Sequence, residues 1–439
     1  MSEILIAALS PTGHVSPMLT IAQDLATRGN HVTVMTGAVH AAAVKEVGAE
    51  LHPLPRVADL DDSRFRSLTR GSTSRMESLN LAITRMFVEP MRHQIAELSA
   101  AMACTPFDAM IVDYGFFGVI PLLLGDPAHR PPVLYYSPVP LMLSSRDTAP
   151  NGFGMPPYPG RLGHLRNRAM NLVARKVVFR QSQLATNAML KQVGVRRLPT
   201  FLLDVGVLAD RFIVPTVPSF EYPRSDLAPN VRFVGRVHPR PSYDYQRPSW
   251  WSELDRDRPV IYVTQGTVDE DLSRLIEPAI EALGREDVTV VATTGGRPVH
   301  DITIPLPANT HVAEYIPHDV LLPKVDVMIT NGGYGAVQHA VATGVPLIVA
   351  GNSEDEPEVA ARVAWSGAGL DLKTGTPSAE MIRGAVHRVL GDHRHLYRAR
   401  ALEADFARRD GIAEIAVLVD EVTGNCQPTS HRRNSDGGF

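Results

Sequence analysis

Only two cysteines, Cys104 and Cys426, occur among the 439 residues. That is too few for a disulfide framework or a cysteine-based metal site, and a reducing, cytoplasmic setting is expected. Basic excess is missing as well. The formal net charge is −4, whereas a nucleic-acid binder normally carries a surplus of Lys and Arg. Long apolar runs are lacking: stretches such as Val119–Leu124 fall far short of the roughly 20 residues of a membrane span. The start of the chain has an acidic Glu3 and neither the basic region nor the small-residue cleavage site of a signal peptide. One absence is regional. Between Thr148 and Leu203 there is no Asp or Glu, while Arg161, Arg166, Arg168, Arg175, Lys176, Arg180, Lys191, Arg196 and Arg197 all fall there. Such a surface suits peripheral contact with anionic lipid or an anionic acceptor; a solvated face balanced by acids elsewhere is the simpler reading.

What is present is ordinary globular composition. Hydrophobic residues make up 44% and charged residues 21%, so a folded chain is expected rather than a disordered one. Its length exceeds one ordinary core, and two or three domains follow. The apolar run Ile4–Leu9 leads through Ser10-Pro11-Thr12-Gly13-His14 into helical spacing over Pro17–Arg28. Gly29-Asn30 stops it and His31–Thr36 reads as a strand. This βαβ opening calls for a parallel, doubly wound sheet. Ala109–Asp113 and Pro132–Ser137 read as further strands, with a helical pattern over Met76–Ala103 interrupted near Pro90. A second α/β unit begins near Arg258. Its strands are Val260–Thr264, Val288–Thr293, Val325–Thr330 and Pro346–Ala350, and its helices Leu272–Leu283 and Tyr334–Ala342. The Pro- and Tyr-rich stretch between the halves reads as a linker. Residues after Gly424 lack apolar anchors and are expected to be disordered.

In open α/β sheets, ligands bind beyond the carboxyl ends of strands, so the loops after strands are where chemistry is sought. His14 follows the first strand, and its ordinary pKa near 6.5 suits a general base. Asp113 ends another strand, where a carboxylate can orient a histidine ring. Capping a helix is the bland role for either. Thr264-Gln265-Gly266-Thr267 and Asn331-Gly332-Gly333-Tyr334-Gly335 end strands of the second half. Small residues and free N–H groups at a helix start suit a phosphate. Glu354-Asp355-Glu356 can accept hydrogen bonds from sugar hydroxyls. The acid pairs Asp59/Asp61 and Asp269/Asp271 hint at Mg²⁺, but surface acids are common and no metal is expected.

Taken together and in order, these segments resemble bacterial GT-B glycosyltransferases of the UDP-glucuronosyl/UDP-glucosyltransferase superfamily, glycosyltransferase family 1, which includes the macrolide and antibiotic enzymes. The resemblance runs from Ile4 to about Leu418. It is strongest over His311–Gly369, where Tyr315-Ile316-Pro317-His318, Asn331–Gly335, Gly344-Val345-Pro346 and Asp355-Glu356-Pro357 follow the donor signature in order; Asn230–Gly235 is similar to the stretch before the second domain. It implies an α/β fold of two Rossmann-like doubly wound domains facing across a cleft. Residues 1–215 would bind acceptor, 216–247 link, and 248–395 bind the nucleotide sugar. Helices in 396–424 would pack back on the first domain, leaving 425–439 as a disordered tail.

The resemblance also implies roles. Tyr315 would stack on the base, with His318 and His339 near base and ribose. Gly13, Gly266, Thr267, Asn331 and the N–H groups of Gly333, Tyr334, Gly335 and Ala336 would hold the diphosphate and sugar. Asp355 and Glu356 would bond sugar hydroxyls. His14 would deprotonate the acceptor, steadied by Asp113, giving inversion at the anomeric carbon. The co-substrate would be a UDP- or TDP-sugar, with no metal or further cofactor, acting on a small lipophilic hydroxyl acceptor. Phe65, Met76, Leu79, Phe87, Phe116 and Phe117 are acceptor-pocket candidates, though core packing explains any one of them. A monomer or homodimer is expected, with no nucleic acid partner. Three departures stand out: Asn331 where the family has His, His339 where it has a ribose-binding Glu, and Glu356 where it has Gln. A sugar-nucleotide epimerase of the same architecture and a non-catalytic helper subunit are the competing readings.

Overall fold

The computed structural model describes residues 1–60, 80–81, 83–237, 245–255, 257–266 and 269–424. Strands β1 (Glu3–Ala7), β2 (His31–Thr36), β3 (Glu50–Pro53), β4 (Ala109–Asp113), β5 (Val133–Tyr136), β6 (Arg211–Val214) and β7 (Val231–Phe233) form a first sheet in the order β3-β2-β1-β4-β5-β6-β7. Strands β8 (Val260–Thr264), β9 (Thr289–Thr293), β10 (Thr310–Ala313), β11 (Val327–Thr330), β12 (Leu347–Val349) and β13 (Gly369–Asp371) form a second, ordered β10-β9-β8-β11-β12-β13. Every pairing is parallel. The central strands β4, β8 and β9 are buried at every position, because helices cover both faces of such sheets. That is why they read as unbroken apolar runs rather than alternating ones.

The helices that matter for the site are α1 (Thr12–Thr27), α2 (Met91–Cys104), α3 (Gly160–Val173), α4 (Arg180–Gln192), α5 (Ile276–Leu283), α6 (Tyr334–Ala342), α7 (Glu356–Ser366), α8 (Ala379–Gly391), α9 (His393–Phe406) and α10 (Gly411–Thr423). The break expected near Pro90 is a π turn over Thr84–Val88 followed by α2. The helix expected over Leu272–Leu283 is divided into a 3₁₀ turn at Leu272–Arg274 and α5. The stretch 216–247, expected as a linker, contains β7, which hydrogen-bonds to β6 as the outer strand of the first sheet. Its cue was a three-residue strand amid prolines, too short to show a period. The far end of the chain returns to the beginning. Ile415, Leu418 and Val419 of α10 share a buried cluster with Ile4, Met18, Ile21 and Leu25. Asp410 caps α10 by accepting the N–H of Ala413. Residues 425–439 lie outside those described.

Each sheet reverses direction of winding beside its first strand. In the first sheet this switch lies between β1 and β4, and in the second between β8 and β11. Strand-end loops splay apart there and leave a crevice. The loops at Ser10–His14 and Asp113–Tyr114 line one crevice; those at Gln265–Gly266 and Asn331–Gly333 line the other.

Candidate active site

At the first crevice α1 begins directly after Pro11, so His14 sits in its first turn, where its N–H reaches the Pro11 carbonyl at 2.9 Å. The side chain turns toward the end of β4. His14 Nδ1 lies 2.8 Å from Asp113 Oδ2. The carboxylate only accepts, so Nδ1 carries the proton and Nε2 is left as the basic nitrogen. Asp113 is 0% exposed, and the same oxygen accepts the Leu9 N–H at 3.3 Å. Burial opposes a charge on the imidazole most strongly of any single influence, but the attraction and hydrogen bond of Asp113, with the charges of Glu354 and Asp355, together outweigh it. The net result is a His14 pKa above its ordinary value. Tyr114 stacks parallel to the imidazole with ring centroids 6.0 Å apart, and Phe87 meets Tyr114 edge-on at 5.5 Å.

Of the acceptor-pocket candidates, Phe65, Met76 and Leu79 lie outside the described residues. Phe87, Phe116 and Phe117 are 4%, 0% and 1% exposed and belong to the first-domain core. They back the wall that carries Tyr114 and present no face to the cleft. Alternation of apolar and polar residues does not separate a core aromatic from a cleft aromatic, which is why the sequence pointed to them.

The second crevice is built from tight backbone. Gly332 has φ +102, and a side chain there would press on Val349 Cγ1 at 2.8 Å, so only glycine fits. Gly333 then caps α6, and the N–H groups of Tyr334, Gly335 and Ala336 open its first turn without intrahelical partners. The Tyr334 ring itself is buried, so its N–H is what it can offer an anion. Gly266 lies beside the Asn331 amide; its neighbour Thr267 lies outside the described residues. Gly13 opens the facing helix, with no atom within 4 Å of a side chain placed there.

Asn331 and Glu356 are joined. Asn331 Nδ2 donates to Glu356 Oε1 at 2.8 Å. Glu356 Oε2 accepts the N–H groups of Asn352 and Ser353 at 2.9 and 2.8 Å and the Ser353 hydroxyl at 2.8 Å. Both carboxylate oxygens, expected to reach for sugar hydroxyls, are therefore engaged within the loop. Asp355 stands free of that knot at the start of α7. Burial, then the neighbouring Glu356 charge, pushes its pKa up to about 7. The charges of Glu354 and Asp355 also help raise the pKa of His14, which marks the donor turn and the base as electrostatic neighbours across the cleft.

At the nucleoside end Tyr315 is 64% exposed, an open ring next to the half-buried His318. Burial lowers the His318 pKa to about 4, so its ring is neutral, 3.4 Å from the Tyr262 hydroxyl. His318 and His339 are 5.3 Å apart by ring centroid. Arg236 Nη1 donates to His339 Nδ1 at 3.1 Å. Arg236 was not legible as a site residue, although it directly follows the Asn230–Gly235 segment; only the fold carries it to α6. Burial pulls its pKa down.

The acid pairs have local work. Asp59 accepts the Ala38 N–H, Asp269 pairs with Arg274 at 3.0 Å, and Asp271 accepts the Ser273 N–H; Asp61 lies outside the described residues. Among the described residues no three His, Cys, Asp or Glu side chains gather as a metal would require.

Two doubly wound parallel domains, with an Asp-oriented histidine on one side and a glycine-lined helix start on the other, define a GT-B sugar transferase. Comparison with known proteins agrees. Residues 277–422 match the family model described as Erythromycin biosynthesis protein CIII-like, C-terminal domain. The chain is 40% identical over 430 residues to 4'-demethylrebeccamycin synthase of Lentzea aerocolonigenes, covering 95% of this chain and 99% of that one. It is 35% identical over 438 residues to UDP-glycosyltransferase 2 of Phaeomoniella chlamydospora, covering 96% and 95%. The calicheamicin glycosyltransferase CalG4 shares the fold with a TM-score of 0.72 at 23% identity, covering 98% of this chain and 100% of that one. Glycosyltransferase VinC, solved with DTDP, shares it with a TM-score of 0.65 at 19% identity, covering 97% and 100%. The chain belongs to the UDP-glycosyltransferases of glycosyltransferase family 1, and it is a glycosyltransferase of the antibiotic and natural-product type.

Proposed function

We propose that this protein transfers a sugar from a UDP- or TDP-sugar to a hydroxyl of a small lipophilic acceptor, with inversion at the anomeric carbon. The observation that carries the reading is the 2.8 Å contact between His14 Nδ1 and Asp113 Oδ2, which leaves Nε2 as the basic nitrogen. The acceptor O–H proton passes to His14 Nε2 as its oxygen bonds the anomeric carbon. The bond from that carbon to the diphosphate oxygen breaks on the opposite face. Asp113 stabilises the imidazolium that forms. The leaving diphosphate meets the N–H groups at the start of α6 and the helix dipole. Asp355 holds the donor sugar, and Tyr315 with His318, His339 and Arg236 holds the nucleoside. The exposed, unpaired Cys104 goes with a cytoplasmic location, and a monomer or homodimer suffices, since every group named comes from one chain.

The test pairs binding with turnover. Calorimetric titration with UDP and with TDP, each in EDTA, is expected to show binding that His14→Ala keeps while sugar transfer falls by about 10²–10⁴. Full transfer by His14→Ala would overturn the mechanism. Binding of neither nucleotide would move the helper-subunit reading to the front.

A further inference from the structure

Helix α3 is built the wrong way round for a soluble surface. Its inward face holds Gly163, Asn167 and Asn171. Asn167 Nδ2 donates to the Arg146 carbonyl at 3.0 Å, and Asn171 Nδ2 to the carbonyls of Ser145 and Asn167 at 3.2 and 2.9 Å. Its outward face carries Leu162, Leu165 and Leu172, which are 72%, 66% and 59% exposed. Ala169 lies between them at the same helical spacing and is also exposed. Residues at i, i+3, i+7 and i+10 share one side of a helix, so these four make a single apolar stripe facing away from the core. Val177, 68% exposed, lies beyond the end of α3. Arg161 and Arg168 border the stripe, with Lys176 and Arg180 further along; all four are exposed and none is ion-paired with another of the described residues. No acid occurs anywhere from Thr148 to Leu203.

We propose that this face docks on an anionic lipid surface. Leucines flanked by long cationic side chains are what an interfacial helix needs: the apolar stems enter the acyl boundary and the guanidinium groups meet lipid phosphate. A second copy of the chain suits it poorly, because a two-fold contact presses the same acid-free cationic face on both sides together. A folded protein partner suits it poorly as well. The stripe is about 15 Å long and 10 Å wide, far below the about 800 Å² that each side of a stable protein interface covers. Its position deepens the proposed function, on which this further step rests. The segment leading into α3 is tied to the donor side of the cleft, where Gly152 and Gly154 donate their N–H groups to Glu358 Oε1 at 2.9 and 2.7 Å. Docking α3 therefore sets the cleft rim beside lipid, where a lipophilic acceptor partitions.

The experiment is co-sedimentation of the full chain with vesicles of phosphatidylcholine alone or with added phosphatidylserine, at low and high salt. Binding is expected only with phosphatidylserine and is expected to weaken as salt screens the charges. Arg161→Glu with Arg168→Glu is expected to weaken it by about thirtyfold or more, and Leu162→Glu with Leu165→Glu to abolish it. UDP and TDP titrations of these variants should match the parent chain, which separates failure of this proposal from failure of the transferase reading. No sedimentation with either vesicle overturns the proposal, as does equal binding by the leucine variants. A concentration-dependent dimer that the leucine variants abolish, without vesicle binding, assigns the face to a second copy instead.

Discussion

Burial is the largest single influence on His14 and resists charging, yet the ring holds its proton more tightly than a free imidazole because the attraction and hydrogen bond of Asp113, with the charges of Glu354 and Asp355, together outweigh it. A base must be neutral to act, so activity is present above the His14 pKa and lost as pH falls through it. In the parent chain the acid limb of kcat/KM is expected above about 6.5. Asp113→Asn removes the attraction and leaves burial, so the limb should move to lower pH, while the plateau drops by about 10²–10⁴ because the tautomer is no longer held. A pH–rate profile of the two proteins checks both signs; a limb that moves upward or stays would sink the assignment. The second residue-scale prediction concerns Asn331 and Glu356. Their direct bond makes the diphosphate loop and the donor-sugar turn one unit. In a double-mutant cycle of Asn331→Ala and Glu356→Ala read by nucleotide affinity, a coupling of about 0.5–3 kcal/mol is expected. Additive effects would show that the two loops act separately.

At the scale of elements, long periodic segments were legible and short ones were not. Strands His31–Thr36, Ala109–Asp113 and Val260–Thr264 and the helix Tyr334–Ala342 have the bounds their apolar patterns suggest, since burial on two faces imposes a continuous run and a helix imposes its own spacing. Strand β7 has three residues and no period, and neither does a π turn. That helices in 396–424 pack back on the first domain was implied by the family resemblance and not by any pattern in the segment itself; α10 is the helix that joins the first-domain core. Its Ile415, Leu418 and Val419 seal β1 and α1, so ending the chain before Gly411 is expected to destabilise the domain at the opposite end of the sequence. The milder Asp410→Ala removes the cap and should cost about 1 kcal/mol. Thermal melting of both variants tests the pairing; a truncated chain as stable as the parent would contradict it.

The whole molecule is held at a node that crosses the domains. Arg362 on α7 is 1% exposed. It donates to Glu221 from Nε and Nη2 at 3.0 and 2.8 Å and to Glu358 Oε2 from Nη1 at 3.0 Å. It also lies over the Tyr222 ring at 4.3 Å. Glu221 accepts the Leu141 N–H at 3.2 Å, and Glu358 those of Gly152 and Gly154. Gly154, at φ +59, comes so near the Pro357 carbonyl that a side chain would meet it at 2.9 Å. Arg362→Met would strip the buried Glu358 of its cation and leave the buried Glu221 only Arg224, 3.9 Å away, a loss of about 3–5 kcal/mol in stability. Arg362→Lys should recover only part of it, because an ammonium cannot make the forked contact. Denaturant unfolding of the three proteins decides this: equal midpoints would mean that the node contributes nothing.

In the sequence Glu358 and Arg362 stand four positions apart, and Glu221 lies far away along the chain. What the sequence by itself determined is local: which segments are strands, which loops follow them, and which small, basic or acidic residues stand in those loops. These follow from periodicity and from the backbone freedom of glycine, and both act over a few residues. The family resemblance implied that Asp113 steadies His14, and the tertiary structure supplied the contact; it alone decided that Asn331 and Glu356 share a bond. It alone turned Phe116 and Phe117 inward while leaving the leucines of α3 outside. Those outcomes depend on sheet order and on which face of an element meets the core, and no short-range pattern encodes a contact between residues a hundred positions apart.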